Sequence, residues 1–583
     1  MNALQPVTFV TAEPPSEVST SRATQLFDEL TLKQAQAIVG MRKDGQAEIN
    51  LAYLRGDHWQ NGAGWVGPRL TAISAEADQA TMTEIEKQFV SRNVVAEVTR
   101  RQVAGVLGRQ LHWKLTVTRE LAETVETDPE TGIIKIVKEM PTQQEQALIN
   151  EAEAALVAWW DERAAHTALE QMDAAALNTK RGVLRLYVPP DLRDSSGNLP
   201  GADLNTCMNY IYLQHLGTNQ DSLDIQFPSA TVYTHKSSQR KIGVFTYQEQ
   251  DELVEGSAAT QAEKAELTYL DDAGNTILRV VDNTGNVEEP MVMPLGGRLT
   301  MFEMTRPMLI TPQVISLQKL LNLSLTMKER NAIVGGFLER IFFNVKWPGT
   351  YKDPKNKREE DFIPADIAVG AGVMVNLQGM VVEDKNGNKV VANPSVNYRD
   401  PVSPVTFIAT EDSAYKGILQ ETNQLHYLIA GDASSSGESR IQAREAFTQD
   451  LHMSASKIED GARWLLETVL AEASFFAGRA GAFEGLRAYV QAKVDAGPIG
   501  PDEMRAAREM KDAELWSTET AQSATGIEDV DAENARIAKE RAERAAVDAK
   551  NMLAAQKLID QQNSDSSGSS RLARTGGENG ANA

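Results

Sequence analysis

The chain has 583 residues, 42% of them hydrophobic and 24% charged, the proportions of a folded protein with room for several domains. Its formal net charge is −23, and so acidic a body does not hold DNA by its whole surface, because phosphate affinity comes from Lys and Arg displacing counterions. The single cysteine, Cys207, excludes an intrachain disulfide and a cysteine-based zinc site, and no apolar run is long enough to span a membrane.

The opening "MNALQPVTFVTAEPPSEVSTSR" has no basic segment followed by an apolar one, so residues 1–24 are expected to form a disordered arm, not a secretory signal. Residues 24–60 read as helix, with Leu32, Ala35, Ile38 and Met41 at three-residue spacing and Gly56 as the stop. A second helix is expected over 83–111. It carries Arg92, Arg100, Arg101 and Arg109, for which ion pairing is favoured slightly over DNA contact. "WKLTVTR" (113–119) reads as a strand, and 142–178 as a helix. Next come "GVLRLYVPP", "LDIQFPSATVYTH", "KIGVFTYQEQ" and the stretch around the "DDAGNT" and "DNTGN" turns. Their alternating apolar residues predict a β-meander and an α+β domain.

A long helix is expected from Pro312, which suits a first helical turn, to about Asn344. A short β-rich insert follows, with a mixed-charge tip from Lys352 to Asp361, and a second long helix from about Val405 to Ala430. "LIAGDASSSGESRIQ" (428–442) comes next, and a third helix runs from Glu438 to about Phe476. Near the end, Ala538, Ala542, Ala545, Ala549, Met552, Gln556 and Ile559 alternate four- and three-residue steps, a coiled-coil seam that needs neighbours to cover it. Residues 561–583 are disordered by composition.

The serine-rich stretch could be reactive, and spacing tests this. A P-loop needs four residues between its glycines and then a lysine; here five separate Gly431 from Gly437, and Glu438 would repel phosphate. A nucleophile elbow needs Gly-x-Ser-x-Gly, but Ser435 has Gly437 after it and Ala433 before it. A flexible connector fits the composition better than either. The seven histidines, His58, His112, His166, His215, His235, His426 and His452, form no His-x-x-x-His pair. His426 stands one turn before the loop, where a packed or solvated role is favoured over a pH-sensitive channel lining. No carboxylate pair is singled out for acid–base work.

The order helix, small β insert, helix, Gly/Ser loop, long helix resembles the portal proteins of tailed bacteriophages. "YLRGDHWQ" (53–60), "RNVVAEVTRRQVAGVLGRQ" (92–110) and "GDASSSGESRIQAREAFTQDL" (431–451) look like portal segments, and the resemblance in element order covers roughly residues 25–560. It implies a predominantly helical α+β fold with wing, stem, clip and crown, assembling into a ring, usually of twelve subunits, around a DNA channel. In those terms 25–305 is the wing, 306–344 the first stem helix, 345–403 the clip and 404–430 the second stem helix. Residues 431–437 form the tunnel loop, 438–500 a wing helix and 501–560 the crown.

The resemblance further implies a non-enzymatic virion protein, without cofactor or metal, that sits at the capsid portal vertex and is made in host cytoplasm. Its partners would be copies of itself, double-stranded DNA, the major capsid and scaffolding proteins, the large terminase, and then neck, adaptor and tail proteins; a membrane is not among them. Gly431, Asp432, Ala433, Ser434, Ser435, Ser436, Gly437 and Glu438 would line the narrowest part of the channel. Lys319, Lys328, Arg330 and Arg340 would guide DNA or pair with acids of a neighbour. Lys352, Lys355, Lys357 and Arg358 would dock partners. Small polar and acidic loop residues suit a duplex that must slide, and glycines let the loop follow it. The alternatives are a serine hydrolase using Ser435 or Ser436 and another oligomeric head–tail adaptor, which would not need so long a chain.

Overall fold

The computed structural model describes residues 27–59, 87, 89–119, 123–127, 134–138, 140–193, 199, 203–219, 224–236, 238–249, 262–287, 289–336, 339–352, 355, 361–365, 378–383, 387–399, 402–429, 437–495, 501–512, 534, 536–539 and 541. The fold is mixed α+β and rich in helix. Residues Met1–Ile429 with Gln442–Ala496 make one compact unit; Ala430–Ile441 with Gly497–Ala583 make a second.

The first unit opens with α1 (Leu32–Gly40) and α2 (Gly45–Arg55). They stand where one helix was expected. The chain breaks because the Asp44 side chain caps α2, accepting from Gln46 N at 3.0 Å. Gly56, at φ 92°, closes α2 in the left-handed conformation that glycine adopts without strain. Of the single helix expected over 83–111, Lys87 is helical, residues 89–93 are not, and α3 (Val94–Leu107) begins afresh at Asn93, its cap, which accepts from Ala96 N at 2.9 Å.

After α3 come β1 (His112–Val117) and the hairpin β2 (Glu123–Thr127) with β3 (Ile134–Lys138). The helix expected over 142–178 is two, α4 (Gln143–Glu162) and α5 (Ala165–Thr179), separated at Ala164 with φ 46°. Strand β4 (Arg181–Tyr187), α6 (Leu204–Asn209) and β5 (Tyr212–His215) follow. The expected meander is present: β6 (Ala230–Thr234), β7 (Lys241–Glu249), β8 (Ala262–Leu270), β9 (Thr276–Val281) and β10 (Met291–Met293) pair in sequence order, all antiparallel. Strand β11 (Met301–Thr305) returns to lie beside β4 in a three-stranded sheet, β11-β4-β5.

Helix α7 (Pro312–Gly336) is about 37 Å long at 1.5 Å per residue. It was expected to reach Asn344 but stops at Gly336. The following "ERIFF" is instead β12 (Glu339–Phe343), rich in the β-branched and aromatic residues that favour strands. Small strands follow: β13 (Val345–Lys346), β14 (Gly349–Tyr351), β15 (Phe362–Pro364), β16 (Gln378–Gly379), β17 (Val381–Glu383), β18 (Lys389–Val391) and β19 (Ser395–Arg399). They form four two-stranded antiparallel pairs, β12-β19, β13-β16, β14-β15 and β17-β18.

The return helix α8 (Pro404–Glu421) is shorter than expected. Asn423, at φ 56°, ends it, and α9 (His426–Ile429) is a separate turn. Helix α10 (Gly437–Phe476) spans 40 residues. The helix expected over 438–500 therefore gives way to β20 (Leu486–Gln491), which pairs with β1. In the second unit α11 (Pro501–Asp512) is helical, as are residues 534, 536–539 and 541; of the expected seam only Ala538 is described.

The main core of the first unit joins α4, α5 and α10 through Trp159, Leu169, Met172, Leu465, Leu466 and Val469, all buried. Gly105 on α3 faces Leu451 on α10 so closely that a Cβ would lie 2.7 Å from Leu451 Cδ2. Among the described residues, no helix is long and apolar enough to cross a membrane.

Candidate functional site: the helix hairpin and its base

Helices α7 and α8 form an antiparallel hairpin. At the base, Gln313 Nε2 donates to Glu421 Oε1 at 3.1 Å. Midway, Ser324 Oγ donates to Phe407 O at 2.7 Å. At the far end Asn331 Nδ2 donates to Val402 O at 2.7 Å, and its Oδ1 accepts from Val402 N at 2.8 Å. Lys328 on α7 pairs with Glu411 on α8.

The base is held in an apolar cluster of Tyr53, Val94, Val98, Val314, Ile315 and Ile418, which joins α2, α3, α7 and α8. Two polar anchors flank the entry into α7. Asn50 Nδ2 donates to Asn178 O at 3.0 Å and to Ile310 O at 2.8 Å. Arg306 bonds the buried Asp173 carboxylate at 2.6 Å; burial raises the pKa of that carboxyl and the guanidinium lowers it in part.

A buried polar ladder runs along α7. Val90 N, Arg92 N and Val94 N donate to Thr326 Oγ1, Asn322 Oδ1 and Gln318 Oε1, at 3.1, 3.4 and 3.1 Å. The segment leading into α3 thus runs antiparallel to the helix. Gln318, Asn322 and Thr326 are spaced by four residues, and each is buried. In sequence they read as a polar stripe, so their role escapes notice until the partner segment is in place.

Helix α3 also grips the segment that leads to the serine-rich stretch. Tyr415 OH donates to Glu97 Oε1 at 3.1 Å, and Arg92 lies over the Tyr415 ring at 4.3 Å. Glu97 pairs with both Arg92 and Arg101. Arg101 lies over the Tyr427 ring at 4.4 Å, and Gln424 Nε2 donates to Val98 O at 2.8 Å. Of the four arginines singled out over 83–111, Arg92, Arg101 and Arg109 are in ion pairs within the chain, Arg109 with Asp495 at 2.9 Å; Arg100 is exposed. The imidazole of His426 is buried between Tyr427 and Phe447, with ring centroids 4.2 and 4.9 Å away.

Gly431, Asp432, Ala433, Ser434, Ser435 and Ser436 lie outside the described residues. Gly437 is the first residue of α10 and Glu438 the second, the Glu438 side chain being outside the described set. Lys319 and Arg330 lie on α7, both half-buried, while Arg340 stands in β12 opposite Tyr398. In the insert, Lys352 is exposed and its N–H donates to Asp361 O at 3.0 Å; Lys355 is exposed; Lys357 and Arg358 lie outside the described residues. The insert strands carry exposed apolar side chains, among them Ile363, Val381, Val382 and Val391. Among the described residues, no group of three or more His, Cys, Asp and Glu side chains is placed to hold a metal ion. No protein-family sequence model and no curated protein sequence matches the chain.

Proposed function

We propose that this chain is the portal subunit of a tailed bacteriophage. Copies of it would form a ring of roughly twelve at one capsid vertex, since repeated head-to-tail contacts make a ring when the rotation closes. The ring would conduct double-stranded DNA during packaging and ejection. The α7–α8 hairpin is the stem, 345–403 the clip that receives terminase and then neck or adaptor proteins, and Gly431–Gly437 the tunnel loop.

One observation carries the reading: a long antiparallel hairpin, rooted through a buried base in a large α+β body, ends in four small two-stranded sheets. Isolated two-stranded sheets are marginal in water, and apolar Val402, Val405 and Ile408 recur every three residues on an exposed face of the hairpin. Copies packed side by side around an axis would cover such a face. The charge is consistent with transit: at −23 per chain, a ring repels phosphate overall. Lys328 is committed to Glu411, so guidance of DNA falls to Lys319, Arg330 and Arg340.

The test is to produce the tagged chain with the capsid and scaffolding proteins of its phage and to label the particles with gold. One labelled vertex per particle supports the proposal. Label spread over all vertices, or particles that form and fill with DNA in its absence, contradicts it.

A further inference from the structure

The ladder along α7 fixes more than the segment beside it. Gln318 Oε1 must accept, because it faces the N–H of Val94 at 3.1 Å. Its Nε2 therefore donates, to Arg92 O at 2.7 Å and to Asn322 Oδ1 at 2.9 Å. Asn322 Oδ1 also accepts from Arg92 N. Asn322 Nδ2 is then left to donate, and it faces His58 Nδ1 at 2.9 Å. His58 Nδ1 must carry a lone pair, and its Nε2–H donates to Tyr53 O at 3.2 Å. Backbone polarity at residues 92 and 94 thus sets the tautomer of a histidine on another segment, and sets it neutral.

The imidazole is buried, 1% exposed, and stacks on the Tyr53 ring with centroids 4.8 Å apart. A second proton on Nδ1 would set an N–H against the Asn322 amide N–H. Turning that amide over would set its NH2 against the donors of Gln318 and Arg92. No rotation satisfies every group, and an unmet buried donor is costly.

We propose that His58 is an acid-released latch: neutral, it locks the middle of α7 to the segment that leads into α3; protonated, it frees Asn322 and loosens that segment from the helix. Groups packed on the ring support this. On its own segment, Tyr53 stacks on it, and Asp57, which favours the imidazolium, is engaged with Arg55 at 3.4 Å. On the segment before α3, Arg92 is drawn away onto Tyr415 and Glu97 and the Asn93 amide lies near; α7 presents the neutral amides of Gln318 and Asn322. Burial is the largest influence on the ring and lowers its pKa. The latch is independent of the portal reading, because it concerns the fold of one chain.

Hydrogen exchange on the full chain tests it, comparing the segment 89–95 at pH 7.5 and pH 5.5 after correction for intrinsic rates. In the wild type, protection should fall by about tenfold per pH unit below the ordinary imidazole range, the linkage of one proton. His58→Gln, which keeps a neutral acceptor, should show the same protection at both pH values. Asn322→Asp should reverse the trend: its carboxylate still accepts from Gln318 and Arg92 and now also from imidazolium, so protection should be greater at pH 5.5. Wild-type protection that does not change with pH, or an equal acid loss in His58→Gln, would overturn the proposal. If His58→Gln fails to fold, the sign of the Asn322→Asp response decides.

Discussion

Leu317 on α7 lies against Gly417 on α8, so that a Cβ at Gly417 would fall 3.1 Å from Leu317 Cδ1. The two helices approach at this point because one of them has no side chain there. Gly417→Val should overpack the contact and cost about 1–3 kcal/mol, read as a lower midpoint in urea unfolding. Thr410, two turns earlier on α8 and half-buried, donates back to Thr406 O at 2.9 Å within the same helix, and Thr410→Ala should be tolerated within about 0.5 kcal/mol in the same experiment.

The entry into α7 depends on one amide. Asn50 is fully buried and its Nδ2 serves the carbonyls of Asn178 and Ile310. Asn50→Ala leaves both carbonyls without that donor, and the expected loss is about 1–3 kcal/mol by denaturant unfolding. Asn50→Asp should be worse, because a carboxylate would face two carbonyl oxygens.

Glu472 sits on α10 in the main core, and burial pushes its pKa up to about 7; Arg193 and Arg185 lower it, and Glu266 raises it. Its Oε2 makes no hydrogen bond. With the folded value above the unfolded one, the native state holds the proton that the unfolded chain has lost. Stability from this group is therefore full below about pH 4.5 and lost as pH rises through about 7. Glu472→Gln should match the wild type near pH 4.5 and exceed it at pH 8, by on the order of 3 kcal/mol. Paired thermal melts at the two pH values check this.

Ser435 and Ser436 separate the conduit from the hydrolase. The double substitution Ser435→Ala, Ser436→Ala should leave assembly of the chain unchanged and should abolish no turnover. Labelling with a serine-reactive fluorophosphonate should be absent in the wild type; stoichiometric labelling lost in the double variant would favour the hydrolase.

The meander was legible because its signals are local: the Asp271–Asn275 turn, in which Asp271 Oδ1 accepts from Ala273 N and Asn275 N, sits between two alternating strands. Helix ends were less so. Glu339–Phe343 continue an apolar spacing that a helix could use, and only their pairing opposite Ser395–Arg399 makes them β. Strand β20 left a period-two signal, Leu486, Ala488 and Val490 buried with exposed residues between them, but its partner β1 lies more than 360 residues away in sequence. The ladder was invisible for the opposite reason. Gln318, Asn322 and Thr326 look like a solvated face, and their burial depends on a segment contributed by residues 90–94.

Native mass spectrometry with negative-stain microscopy on the purified chain tests the central claim most directly. The account predicts closed rings with a central hole and a mass roughly twelve times the 63.8 kDa of the chain. A monomer or dimer at the highest concentration reached, with no ring formed when scaffolding protein is added, would contradict it.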